Sequence, residues 1–148
     1  MKKLSAGLFV LVTLVPCIAL AQEPSPAGLW RNIDDTTGKA KALIRVTEHS
    51  GEFSGRIEKI FPEPGEDPNP KCDKCEGTLK GQPNLGMTIM SGFRLDGTEY
   101  GGGTILDPEN GKYYKSKMSL ADGGKKLNVR GYVGIPLFGR SQTWLREQ

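Results

Sequence analysis

Two cysteines three positions apart are the residues of this chain whose spacing speaks most directly of chemistry. In Cys72-Asp73-Lys74-Cys75 the pair suits a disulfide, a bond that persists in oxidising compartments. The same spacing supports thiol–disulfide exchange when the first cysteine caps a helix N-terminus that lowers its pKa. Here the motif lies in a proline-rich stretch with no helical periodicity, so a structural bond pinning a loop is the favoured reading. A thiol-redox enzyme is the alternative. A structural zinc ion wants four ligands. One CxxC and a single histidine, His49, do not supply them within one chain, so neither a metal nor another cofactor is expected. Hydrolytic machinery is also poorly represented. There is no Gly-x-Ser-x-Gly elbow, and one histidine in a turn-like stretch is a poor basis for a nucleophile–base pair. The acidic pairs Asp34-Asp35, Glu66-Asp67 and Asp107…Glu109 all fall in turns, where carboxylates serve solvation and turn geometry. These observations point to a binding protein rather than an enzyme.

A second group of residues suits ligand binding. Near the C-terminus Arg130 and Tyr132 alternate on one strand face, opposite Leu127, Val129 and Val133, while Arg140, Gln142 and Trp144 share a face of the next strand. If those polar-aromatic faces point inward, Tyr114, Arg130, Tyr132 and Gln142 give an apolar interior a few anchoring groups, the usual make-up of a small-molecule pocket. An interior arginine would favour a carboxylate or phosphate head group. In the opposite orientation Arg130 and Tyr132 meet solvent and the valines form the core. Three apolar side chains in Gly134-Ile135-Pro136-Leu137-Phe138-Gly139 either line a barrel mouth, cap a core, or stay exposed for a partner or membrane contact.

The elements that must position these residues are short strands. Asp107-Pro108-Glu109-Asn110-Gly111 and Ala121-Asp122-Gly123-Gly124 place proline where φ near −65° is wanted and glycine where φ turns positive, so both are hairpin loops. They separate strand patterns at Glu99–Leu106, Lys112–Leu120 and Lys126–Val133, with a fourth from Arg140. Upstream, strands are expected from Gly28, over Ala40–Glu48, over Phe53–Phe61 and over Met87–Arg94. Between the last two, Pro62 to Pro83 is a long proline-rich loop carrying both cysteines, with a helical turn expected near Asp73–Leu79. About eight strands and no long helix predict an all-β fold. An antiparallel barrel is preferred to a sandwich, because glycines such as Gly55, Gly92 and Gly101-Gly102-Gly103 lie inside strand patterns, where barrels bend.

The first 21 residues read as an export signal rather than as structure. Lys2-Lys3 precede an apolar run from Leu8 to Leu20, and Ala19-Leu20-Ala21 offers a small-x-small cleavage site. Cleavage would leave residues 22–148 as one domain, with no transmembrane span, in the periplasm or outside the cell. It would also remove two lysines and no acids, taking the net charge of +3 to +1. That balance gives no basis for nucleic-acid binding.

Three segments carry a family likeness. They are Gly28-Leu29-Trp30-Arg31…Asp34-Asp35…Thr37-Gly38, then Asp67-Pro68-Asn69-Pro70-Lys71-Cys72-Asp73-Lys74-Cys75, then Tyr100-Gly101-Gly102-Gly103-Thr104-Ile105-Leu106-Asp107-Pro108 through Gly139-Arg140-Ser141-Gln142-Thr143-Trp144. Together they resemble the exported bacterial family called domain of unknown function 2147. The resemblance implies a periplasmic lipocalin-like β-barrel that binds a small ligand. Lipocalins also open their first strand with Gly-x-Trp, matched by Gly28-Leu29-Trp30, and lay a basic residue of the last strand across that indole. The closing pair expected here is Trp30 with Arg140, Arg146 being the alternative. The combined expectation is a barrel that binds a small apolar or amphipathic molecule. Its rival is a barrel filled with side chains that contacts an envelope protein partner.

Overall fold

The computed structural model describes residues 23–148; the expected signal segment lies outside them. Eight strands run in order: β1 (Gly28–Ile33), β2 (Ala40–His49), β3 (Glu52–Ile60), β4 (Thr88–Asp96), β5 (Glu99–Asp107), β6 (Lys112–Ala121), β7 (Lys126–Tyr132) and β8 (Gly139–Arg146). Each pairs antiparallel with its neighbour, and β8 returns to β1, closing the barrel. The expected strands are all present to within a few residues. The helical turn is shorter than expected, a single 3-10 turn at Gly77–Leu79.

Local chemistry fixes the corners. Asp34 accepts the Thr36 and Thr37 amides on Oδ1 at 2.9 and 2.7 Å, an Asx-turn that reverses the chain after β1. Two glycines are required by close approach. A Cβ on Gly103 would sit 2.5 Å from the buried Phe93 ring, and the β5–β6 register shifts between Tyr100 and Gly103 to seat it. Gly111 has φ +72°, and a Cβ there would collide with the Lys74 carbonyl. The disulfide loop is therefore packed directly onto the β5–β6 turn.

Alternation puts Ile44, Val46, Met118, Leu127, Val129 and Trp144 inside. One end of the barrel, the base, is filled. Trp30 is wholly buried there and donates its indole N–H to the Pro26 carbonyl at 2.7 Å. The Arg146 guanidinium carbon lies 4.2 Å from its ring centroid. The same guanidinium donates to the carbonyls of Gly124, Ala27 and Ser25 at 2.6, 3.0 and 2.7 Å. Arg146, not Arg140, is thus the closing cation. Arg140 begins β8 at the opposite end, and only the last residues of that strand reach the level of Trp30.

Arg146→Ala removes a cation–π contact of roughly 0.5–2 kcal/mol together with charge-assisted hydrogen bonds. Urea unfolding of that variant is expected to show a loss of about 2–3 kcal/mol. Arg140→Ala is expected to cost about 1 kcal/mol or less. Equal losses would contradict this assignment of the base.

Candidate functional site

Above the Trp30 layer the barrel opens into a cavity of about 840 Å³, within the range of small-molecule sites. Its wall is aliphatic, from Ile44, Ile57, Ile89, Ile105 and Val129, with Trp144 at its floor. The mouth is formed by the β1–β2 turn, the β5–β6 turn and the long β3–β4 loop, whose Phe61, Pro62 and Pro70 face the opening.

Two of the four expected ligand-binding residues line the cavity. Tyr114 does so from β6; its hydroxyl accepts the Asn110 side-chain amide at 2.9 Å and keeps its own proton to donate. Gln142 does so from β8, but its Oε1 is already shared by the Trp144 indole N–H at 3.0 Å and the Asn32 amide at 2.9 Å. Gln142 therefore ties β8 to β1 more than it offers a free anchor.

The other two, Arg130 and Tyr132, lie on the outer face, and that expectation is corrected. The cross-strand register explains it. Val129 stands opposite Gln142, and Gly131 opposite Arg140. Paired residues project to one side of an antiparallel sheet, so turning Gln142 and Trp144 inward turns Val129 and Leu127 inward with them. The polar faces of β7 and β8 cannot both point in. Arg130 instead grips the β7–β8 loop, donating to Pro136 O at 2.6 Å, Leu137 O at 3.3 Å and Ser141 Oγ at 2.8 Å. That loop neither caps the core nor lines the cavity: Leu137 and Phe138 are 76% and 71% exposed.

Charge gathers at the mouth. Asp34, Glu66, Asp67, Asp107 and Glu109 face it, against Lys41 and Arg140. Lys41 pairs with Glu109 and lies 4.0 Å from Asp34; the hydrogen bond to Glu109 raises its pKa above the ordinary lysine value. Arg140 binds Asp35 through both carboxylate oxygens, with Nε 2.6 Å from Oδ2. The Arg140 hydrogen bond holds the Asp35 pKa below the ordinary carboxylate value. Asn84, which sequence reasoning missed, is also in the wall, 9% exposed, and its Oδ1 has no donor among the described residues. No periodic signal marks it, because it lies in irregular loop.

Cys72 and Cys75 form the expected disulfide, with Cα atoms 5.3 Å apart. Both are buried, and Cys72 Sγ rests 3.4 Å from the Pro108 carbonyl oxygen. The bond closes a tight turn within the long loop, and that turn packs against the β5–β6 turn at Gly111 and Pro108 and so helps shape the mouth. Among the described residues no three His, Cys, Asp or Glu side chains form a metal-binding group, and no helix is long and apolar enough to cross a membrane.

An eight-stranded antiparallel barrel, closed at a Trp–Arg base and open at the other end, is a lipocalin-like fold. Residues 28–146 match the family described as uncharacterized protein conserved in bacteria (DUF2147), and the chain belongs to that family. It is similar to a solved structure, protein HP1028 from Helicobacter pylori, described as belonging to the lipocalin family. The TM-score is 0.71 at 18% identity, with 84% of each chain covered. Comparison with curated proteins finds no match.

Two outcomes test the mouth. A disulfide closing so short a loop stabilises by about 2 kcal/mol, so Cys72→Ala/Cys75→Ala is expected to lose that much in urea while keeping its far-UV spectrum. The Asp35–Arg140 pair follows a definite sign. Because the folded pKa of Asp35 is depressed, its contribution is present above the ordinary carboxylate pKa of 3.8 and fades as pH falls through the folded value. The stability difference between wild type and Asp35→Asn is therefore expected to be constant from neutral to mildly acidic pH. Urea midpoints should converge only below the ordinary range; convergence near neutrality would contradict the pairing.

Proposed function

We propose that this protein is an exported carrier or receptor that holds a small apolar or amphipathic molecule in its barrel and does no chemistry on it. The cavity of about 840 Å³ with an aliphatic wall carries this reading, since a barrel meant only as a scaffold gains stability by filling such space. The kinship of fold with a lipocalin supports it. Periplasmic location rests on the reading of residues 1–21 as a signal, and a disulfide in the loop is in keeping with an oxidising compartment. A second role, contact with an envelope protein partner, is favoured by one observation, the outward-facing Ile135, Leu137 and Phe138; it is compatible with carriage.

Titration with the neutral dye N-phenyl-1-naphthylamine tests the proposal. Saturable enhancement at one site per chain is expected. Ile105→Trp, which adds bulk on the cavity wall, is expected to weaken binding by about tenfold or more without changing the far-UV spectrum. Absence of saturable binding, or indifference to Ile105→Trp, would overturn the reading.

A further inference from the structure

Resting on that carrier reading, we infer that Tyr114 anchors the ligand's head group, and that this head is a neutral oxygen that accepts hydrogen bonds, the carbonyl of an alkyl ketone or ester type of molecule. The direction of the Tyr114 hydroxyl is set by a chain of hydrogen bonds across the β5–β6 turn. Asp107 Oδ1 accepts the Glu109 N–H at 2.9 Å, and its Oδ2 accepts the Asn110 side-chain amide, also at 2.9 Å. Asn110 Oδ1 accepts the Lys112 N–H at 2.9 Å. Turned the other way, that amide would aim its oxygen at a carboxylate and its nitrogen at a backbone N–H, so its orientation is fixed. The second hydrogen of the Asn110 nitrogen goes to the Tyr114 hydroxyl oxygen at 2.9 Å. Tyr114 therefore accepts on the side of the turn. Its own proton has no acceptor among the described residues and is left for the cavity that the side chain lines. Donation into the phenol oxygen, by an amide already bound to a carboxylate, strengthens the O–H as a donor.

The surroundings match this donor to an uncharged acceptor. Ile105 stands opposite Tyr114 in the register. Gly131 leaves bare backbone beside them: a Cβ there would lie 3.6 Å from the Tyr114 Cβ and 3.5 Å from Ile105 Cγ2. All three line the cavity, so a head group has room next to the phenol and its tail has the aliphatic wall below. The other polar groups of the wall are spent differently. Gln142 Oε1 already takes two donors. Lys41 and Arg140, the cations among the lining residues, are each bound to a carboxylate, Glu109 and Asp35 respectively. An anionic head on Tyr114 would thus lack a free cation. It would also stand close to Asp107, because one Asn110 nitrogen binds both the Asp107 carboxylate and the Tyr114 oxygen. A head that only donates leaves the Tyr114 proton without an acceptor. A neutral carbonyl takes that proton and meets neither cost.

Two variants test the assignment, with N-phenyl-1-naphthylamine, a probe that carries no oxygen acceptor, as the internal control. Tyr114→Phe keeps the ring and removes the hydroxyl. Asp107→Asn/Asn110→Asp exchanges two side chains at constant net charge. Position 107 still accepts the Glu109 N–H and position 110 still accepts the Lys112 N–H, but a carboxylate now faces the Tyr114 hydroxyl and takes its proton. Displacement of the dye by 2-decanone is expected to weaken about fivefold in both variants, while the dye's own affinity changes by less than about twofold. Infrared spectra of 2-decanone labelled with carbon-13 at the carbonyl give the direct signature. Bound to wild type, its carbonyl stretch is expected below the value in alkane, and in both variants it is expected to return toward that value. Should Tyr114→Phe fail to bind the dye, the exchange variant decides alone. An alkane-like stretch in wild type, or a ketone that competes equally well in wild type and variant, would overturn this inference. So would decanoate competing as well as 2-decanone at about pH 7, where it is ionised, or a ketone that fails to displace bound dye. Each of these leaves the carrier reading standing, whereas no dye binding to wild type would overturn both.

Discussion

The seam between the first and last strands is the contact on which the rest of the structure depends. Trp30 pairs there with Arg146 and Arg31 with Leu145, and the Glu147 N–H adds one bond to the Leu29 carbonyl at 2.8 Å, so backbone bonding alone closes little of the circle. Side chains complete it in tiers. At the base Arg146 lies over Trp30 and ties its own strand to the N-terminal segment. In the middle Asn32 donates to Gln142, and at the rim Asp35 receives Arg140. A closed sheet has no edge to pair with a neighbour, and here that closure is largely a side-chain achievement.

The tiers also grade the interior. The base is dry and full, with an indole, an arginine stem and the Phe53–Tyr100 edge-on pair at 5.0 Å. The middle is aliphatic and spacious. The mouth is charged and held in shape by the disulfide loop lying on the β5–β6 turn. A molecule with an apolar tail and a polar head would find its tail solvated by the middle tier and its head by the mouth. The β7–β8 loop stands apart from this axis, and Arg130 holds it outward through two bonds to its carbonyls and a third to Ser141 of β8. Its apolar tip serves the exterior.

Sequence pattern made the strands legible because each is bounded by turn chemistry that allows little else. Asp-Pro-Glu-Asn-Gly and Asp-Gly-Gly mark corners wherever they stand between alternating runs. Faces were harder. Arg130 and Tyr132 share a face with each other, and Gln142 shares one with Trp144, but which faces coincide depends on register, which no single strand encodes. The same gap explains the closing cation. Arg140 and Arg146 both project inward from β8, and only the length of the strand decides which of them reaches Trp30. Asn84 was illegible for a different reason. Its significance lies in a missing partner, and a partner's absence is a property of packing.

The central claim, a cavity that carries a molecule, is tested most directly by comparing native and denaturing mass spectra of protein recovered under mild conditions from the cells that express it. The account predicts a stoichiometric mass excess that disappears on denaturation, leaving a chain two hydrogens lighter than its reduced mass because of the Cys72–Cys75 bond. A native mass equal to that chain alone, from protein that also fails to take up any alkyl probe, would contradict it.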